Sequence, residues 1–167
     1  MLEIVSGGEV APGAEQVAAR ADVGLRTVFR HFQDMDSLYR EMSLAIEREA
    51  SAIVEQPFVS PDWRDRVTEI IGRRAAVFER IGPFKRASNA FLHRSKFLEA
   101  DNARFAVLQR EMLTRELPPA VVADEATLEI LDLLLSFETW SRLRHEQRLS
   151  PDAARETLEV AVRKLIA

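Results

Sequence analysis

Two arginines four residues apart, Arg26 and Arg30, share one face of a short helical segment with Leu25, Thr27 and Phe29 close by. A guanidinium can hold a phosphate through charge-assisted bonds, or grip the edge of a guanine through two of them. This chemistry makes the exposed side of that segment the best candidate contact with DNA; the other reading is a solvated helix face. Rival chemistries are poorly supplied. His31, His93 and His145 are too far apart for a metal motif, and no His-x-x-x-His or Glu-x-x-His pair occurs. The chain has no cysteine, no Gly-rich phosphate loop and no nucleophile elbow, and its carboxylates fall mostly on exposed helix faces where pairing with Arg accounts for them. Neither an enzyme, a metal site nor a cofactor is expected.

The elements that position these residues are read from "VAARADVGLRTVFRHF", residues 17–32. Val17, Ala18 and Ala21 fall on one face at helical spacing, and Val28 and Phe32 do so four apart. Between them Asp22 can take the left-handed conformation that closes a helix, and Gly24 can cap the next one. A connection this short suits a crossed pair, a helix-turn-helix whose second member projects into a major groove.

The strings "ADVG" and "TVFRHF" resemble the Ala-Gly-Val-Ser turn and the Thr-x-Tyr-x-His-Phe recognition helix of the tetracycline-repressor (TetR) family. The "QDMDSLYREM" that follows is similar to that family's acidic turn and the start of its long linking helix. The resemblance implies that Leu25 and Arg26 reach base edges, that Thr27 and His31 contact phosphates, and that Phe29 stands for the family's Tyr. Three positions depart from the pattern. Gly24 replaces a Ser whose hydroxyl would cap the helix and meet a phosphate, Phe29 lacks the phenol oxygen, and Met35 stands where a Lys is usual. Each missing donor removes part of the sequence-independent attraction to DNA. The resemblance also implies a full first helix before the motif. Only Met1 to Ser6 precede Gly7 and Gly8, so that helix is shortened, either because the numbering begins within a longer chain or because the domain is truncated.

The 167 residues, 47% of them apolar, can bury a real core and suit one or two small domains. Absence of cysteine excludes a disulfide scaffold and fits a reducing cytoplasm, the expected location. No signal peptide is visible, and the longest apolar run, residues 130–135 with Asp132 inside it, is far too short for a membrane span. The net charge of −4 argues against indiscriminate nucleic-acid binding. Residues 1–42 hold four Arg and no Lys against seven acids, a balance of −3, so a DNA-binding head must rely on where its few cations sit.

Beyond the motif every segment reads as helix, and the fold class is all-α. A long helix starts at Asp34, carries Leu38, Met42, Ala45, Ile46 and Ile53 inward, and stops near Pro57. Ser60-Pro61-Asp62 starts a second, which buries Trp63, Val67, Ile70, Ile71, Phe78 and Ile81 and stops at Gly82-Pro83. A shorter helix carries Phe84, Ala87 and Phe91, and another runs from Lys96 to Leu117 with Leu98, Phe105, Leu108 and Met112 inward. A long helix follows that is apolar over most of its circumference from Leu128 to Phe137, and Ser150-Pro151-Asp152 opens the last one. This layout places a helix-turn-helix head at 1–42 and a helical ligand-binding and dimerisation body at 43–167, joined by the long helix.

Phe78, Phe84, Phe91, Phe97, Phe105, Met112 and Trp140 line an apolar chamber or form ordinary core, and the family resemblance favours a chamber that binds an effector. His93 is either a polar group of that chamber or a surface histidine. The two-sided apolar helix, through Leu128, Leu131 and Leu135, and the stripe Ala154, Leu158, Ala161 and Leu165 point to a homodimer through a four-helix bundle. The resemblance implies a ligand-responsive transcriptional regulator, usually a repressor, that binds operator DNA as a homodimer and is released by a small apolar or aromatic effector. The alternative is a helical small-molecule-binding protein whose head has lost useful DNA affinity.

Overall fold

Every regular element among the described residues is helical, as the absence of period-two patterning implies. The computed structural model describes residues 3, 4, 7, 13–31 and 35–167, and the side chains of Phe29, Arg30, His31, Met35, Leu38 and Glu49 fall outside that description. In chain order the helices are α1 (Ala14–Arg20), α2 (Leu25–His31), α3 (Met35–Val54), α4 (Trp63–Phe91), a 3-10 turn (Leu92–Arg94) and α5 (Lys96–Thr114). They continue with α6 (Pro119–Ala123), α7 (Glu125–Leu134), α8 (Phe137–Ser141), a π turn (Arg142–Glu146) and α9 (Pro151–Leu165). No helix among the described residues is long and apolar enough to cross a membrane.

The chain divides into two compact units, Met1–Ala52 with Ile81–Ala103 and Ile53–Arg80 with Arg104–Ala167. The division differs from the expected boundary at residue 42 for a packing reason. Tyr39 and Met42 of α3 bury their side chains with Leu98, under Phe84, Phe91, Leu92 and Phe97, so residues 81–103 fold with the N-terminal part. The Tyr39 and Phe91 rings stack at 6.4 Å.

Several helix ends depart from the sequence reading, each because of a distant partner. Pro83 lies inside α4 instead of ending it. An interior proline forfeits one amide donor and crowds the carbonyl four residues back; burial of Ile81, Gly82 and Ala87 around it offsets that cost. Ser60 does not cap α4. Its amide donates to Glu69 at 2.8 Å beside that of Val59 at 3.1 Å, and Arg66 takes the Pro61 carbonyl at 2.6 Å. The cap falls to Asp62, whose carboxylate accepts from the Arg64 amide at 2.8 Å. At the second copy of this signal Ser150 does cap, accepting from the Ala153 amide at 3.2 Å with Pro151 in the first turn.

The expected long helix after residue 123 is broken in two. Ser136 Oγ accepts from the Thr139 amide at 3.2 Å and starts α8, while α7 ends at the Leu135 carbonyl. That carbonyl is claimed by Arg74 of α4, which donates to it at 2.8 Å and also to the Gln109 carbonyl of α5. Arg74 is only 9% exposed. Burial pulls its guanidinium down to about 10 and Asp132 opposes the shift, so it stays charged at neutral pH. Arg110 of α5 pairs with Asp132 at 3.1 Å and with Glu129 at 2.5 Å. Glu79 ties down the π turn, accepting from Trp140 Nε1 at 2.9 Å and Arg144 Nε at 2.7 Å, and these bonds, that from Arg144 first, hold its carboxyl below the usual range.

The core of this second unit is led by Val67, Ile71, Leu113, Leu131, Leu135 and Val162. On α5 Leu98 and Leu113 are buried, as is Leu117 just beyond its end; Phe105 and Met112 are half-buried, and Leu108, expected inward, faces solvent. Replacing Arg74 by Met keeps its length but leaves the buried Leu135 carbonyl and the part-buried Gln109 carbonyl without their charged donor. Arg74→Met should cost about 2–4 kcal/mol, read as a lower urea midpoint at unchanged m-value; a loss below about 0.5 kcal/mol would show that the clamp is not what holds these helices.

Candidate nucleic-acid interface

The turn between α1 and α2 is built from backbone bonds that the sequence permits at two positions. Asp22 adopts φ 52°, a left-handed conformation that Asp tolerates better than most residues. This turns the chain so that the Asp22 amide donates to the Ala19 carbonyl at 3.3 Å and the Val23 amide to the Ala18 carbonyl at 3.0 Å. The paired bonds form a Schellman closure, which satisfies carbonyls that the end of α1 would leave open. One residue further, the Gly24 carbonyl accepts from the Thr27 amide at 2.8 Å and the Val28 amide at 3.3 Å, opening α2. At the other end of α1 the Gln16 side chain accepts from the Gly13 amide at 2.8 Å.

Seven-residue helices are too short to persist alone. Val17 and Ala18 of α1 and Val28 of α2 are buried against one another, with Ile4 and Ala14 packed over them. Ile4 lies upstream of the pair, and its part in covering this small core is a contribution the sequence reading did not assign. The packing turns the other side of α2 outward. Leu25 and Arg26 are exposed and Thr27 is half-buried. The remaining candidates, Phe29, Arg30 and His31, carry side chains outside the described residues. Arg20 pairs with Glu3 at 2.8 Å on the open surface, where such a pair contributes little.

The eight residues assigned to an effector chamber divide between the two units. Phe84, Phe91 and Phe97 meet in the first unit around Tyr39, Met42 and Leu98, and all three are partly buried. Phe78 and Trp140 are core residues of the second unit, with Phe78 edge-on to Phe137 at 5.5 Å and tilted against Phe105 at 6.5 Å. Met112 is half-buried in that unit as well. His93 is exposed on the 3-10 turn and accepts from Arg94 Nε at 3.1 Å, so it belongs to the surface and not to an apolar lining. Helical spacing alone gave these aromatics no long-range address.

The residues proposed for a dimer contact also need correcting. Leu128, Leu131, Leu135, Ala154 and Leu158 are buried within the protomer, and Ala161 and Leu165 are half-buried, because α7 and α9 pack on each other through this face. The outward apolar residues of the same helices are Ile130 and Leu133, the latter 65% exposed, and Val160, with Ala126 on the same stripe of α7. Among the described residues no group of three His, Asp or Glu could hold a metal ion. Comparison of the chain with family models, curated proteins and solved structures found no match.

A side chain at residue 24 would meet nothing: a Cβ built there has no atom within 4 Å, and the backbone is not in the left-handed region. Gly24→Ser should therefore fit and stabilise the start of α2 by a few tenths of a kcal/mol, about what a hydroxyl cap adds over glycine. A lowered melting temperature in this variant would mean that the turn differs from the one described.

Proposed function

We propose that the chain is a transcriptional regulator of the tetracycline-repressor type that binds operator DNA as a homodimer and releases it when a small apolar or aromatic molecule binds. The α1–α2 pair carries this reading: two short helices closed by a Schellman turn, with a buried seam between them and Leu25 and Arg26 exposed on the first turn of the second. In helix-turn-helix proteins it is the N-terminal end of the second helix that reaches base edges in the major groove. The effector is assigned to the first unit's aromatic cluster, where Phe84, Phe91 and Phe97 are only partly buried and offer apolar surface to a ligand.

The test begins with selection of binding sequences from random duplex DNA, followed by titration of the selected site. Arg26→Ala should weaken binding to that site by about 1–3 kcal/mol and relax the preference at the base pairs it touches. The same titration with apolar aromatic compounds that raise the melting temperature should show release. A chain that selects no sequence is the helical small-molecule binder with a degenerate head, and the regulatory reading then fails.

Pairing is assigned to the outward stripe Ala126, Ile130 and Leu133 of α7 together with Val160 of α9, since two copies presenting one apolar patch to each other form a two-fold contact. Light scattering should report twice the chain mass, and Leu133→Glu should return it to a single chain. An unaltered chain that remains single at micromolar concentration overturns this pairing.

A further inference from the structure

Positive charge in the first unit is concentrated away from the helical pair. From Ile81 to Lys96 the sequence carries Lys85, Arg86, Arg94 and Lys96 and not one Asp or Glu. The end of this run is the 3-10 turn and the first residue of α5, and α3 is fastened to it. Ser95 Oγ donates to Asp36 Oδ1 at 2.6 Å while accepting from the Leu98 amide at 3.1 Å. One turn along α3 the Arg40 guanidinium lies 4.6 Å from the centre of the Phe97 ring. Arg40, Arg94 and Lys96 are all exposed, and three cations are thereby gathered around a single buried serine. The acids of the same segments are Asp36, engaged by Ser95; Glu41, exposed beside Arg40; Asp101, which accepts from Ser43 at 3.0 Å; and Glu99, one turn along α5.

We infer that this cationic turn, Arg94 and Lys96 with Arg40 beside them, is a second contact surface for the phosphate backbone of duplex DNA, separate from the α1–α2 pair. The inference rests on the DNA-binding reading above and adds a surface to it. Duplex DNA is favoured over an acidic protein by the charge balance of the unit itself. Residues 1–42 carry −3, and phosphate contacts, which supply most of the sequence-independent affinity, need more cations than the four Arg of this segment, Arg40 among them, provide. The turn at 94–96 supplies them, held to α3 by a part-buried hydrogen bond and a ring contact.

The experiment is a salt titration of binding to the selected duplex and to a random-sequence duplex, with the double variant Arg94→Gln and Lys96→Gln beside the unaltered chain. Removing one phosphate-binding cation should lower the slope of log K against log salt by about 0.9, so roughly 2 per chain for the pair, with affinity falling alike on both duplexes. The exchange Arg94→Lys with Lys96→Arg should restore the slope. Arg115→Ala, at an exposed pair in the second unit, should leave it unchanged. Three results overturn the inference: an unchanged slope in the Gln variant while the selected site is still bound, a weakening confined to the selected duplex, or a slope that the Lys/Arg exchange fails to restore. A chain with no selectable site whose random-duplex binding still drops in the Gln variant keeps this surface and discards the regulator. No duplex binding at all discards both.

Discussion

A buried cation with backbone carbonyls as its partners constrains the larger unit. Placing Arg74 inside costs a large part of its hydration energy, which is recovered only if strong acceptors are held in place around it. The carbonyls of Leu135 and Gln109 are such acceptors, one at the end of α7 and one on α5, and Asp132 adds a counter-charge. α7 must therefore stop where its terminal carbonyl meets the guanidinium. Ser136, whose hydroxyl caps the next helix, eases the stop, but a serine alone does not require one. The break in an otherwise continuous apolar helix is thus set from α4, some sixty residues earlier in the chain.

Local signals were legible and distant ones were not. Asp22 and Gly24 did what their backbone freedom suggested, and Ser150 with Pro151 opened the last helix as read. Such features depend on a few bonded neighbours, and the residue type states the preference. Ser60 with Pro61 carries the same signal and fails, because Glu69 and Arg66 of the next helix compete for its backbone groups. Pro83 marks a helix end in isolation but sits within α4, where buried neighbours keep the helix intact.

Phase was the second source of error. A helix apolar over most of its circumference does not declare which face is inward, and α7 offers Leu128, Leu131 and Leu135 on one side and Ala126, Ile130 and Leu133 on another. The first set is interior because α9 covers it, and only the fold of the whole unit decides that. The aromatic set divides for a related reason: Phe78 and Phe84 are six residues apart on one helix yet belong to different units. By contrast Leu25 and Arg26 were placed outside correctly, since the seam through Val17, Ala18 and Val28 leaves a seven-residue helix no other way to turn.

On the proposed DNA-binding reading, base contact and phosphate contact fall to two different surfaces of the first unit. A two-helix head this small buries little, and every cation on its surface is drawn from a handful of positions, so it can present a few base contacts without a dense phosphate clamp. A head of that kind has weak sequence-independent affinity, which widens the gap between right and wrong sequences but leaves total affinity low. Cations set on another part of the unit would, on that reading, raise total affinity without adding to the bases read. The tie from Ser95 to Asp36 matters in that balance because it fixes the first turn of α3 to the turn that bears Arg94 and Lys96. A phosphate contact made there would be made by a surface tied to α3, at less cost in ordering than one made by a loose strand of chain.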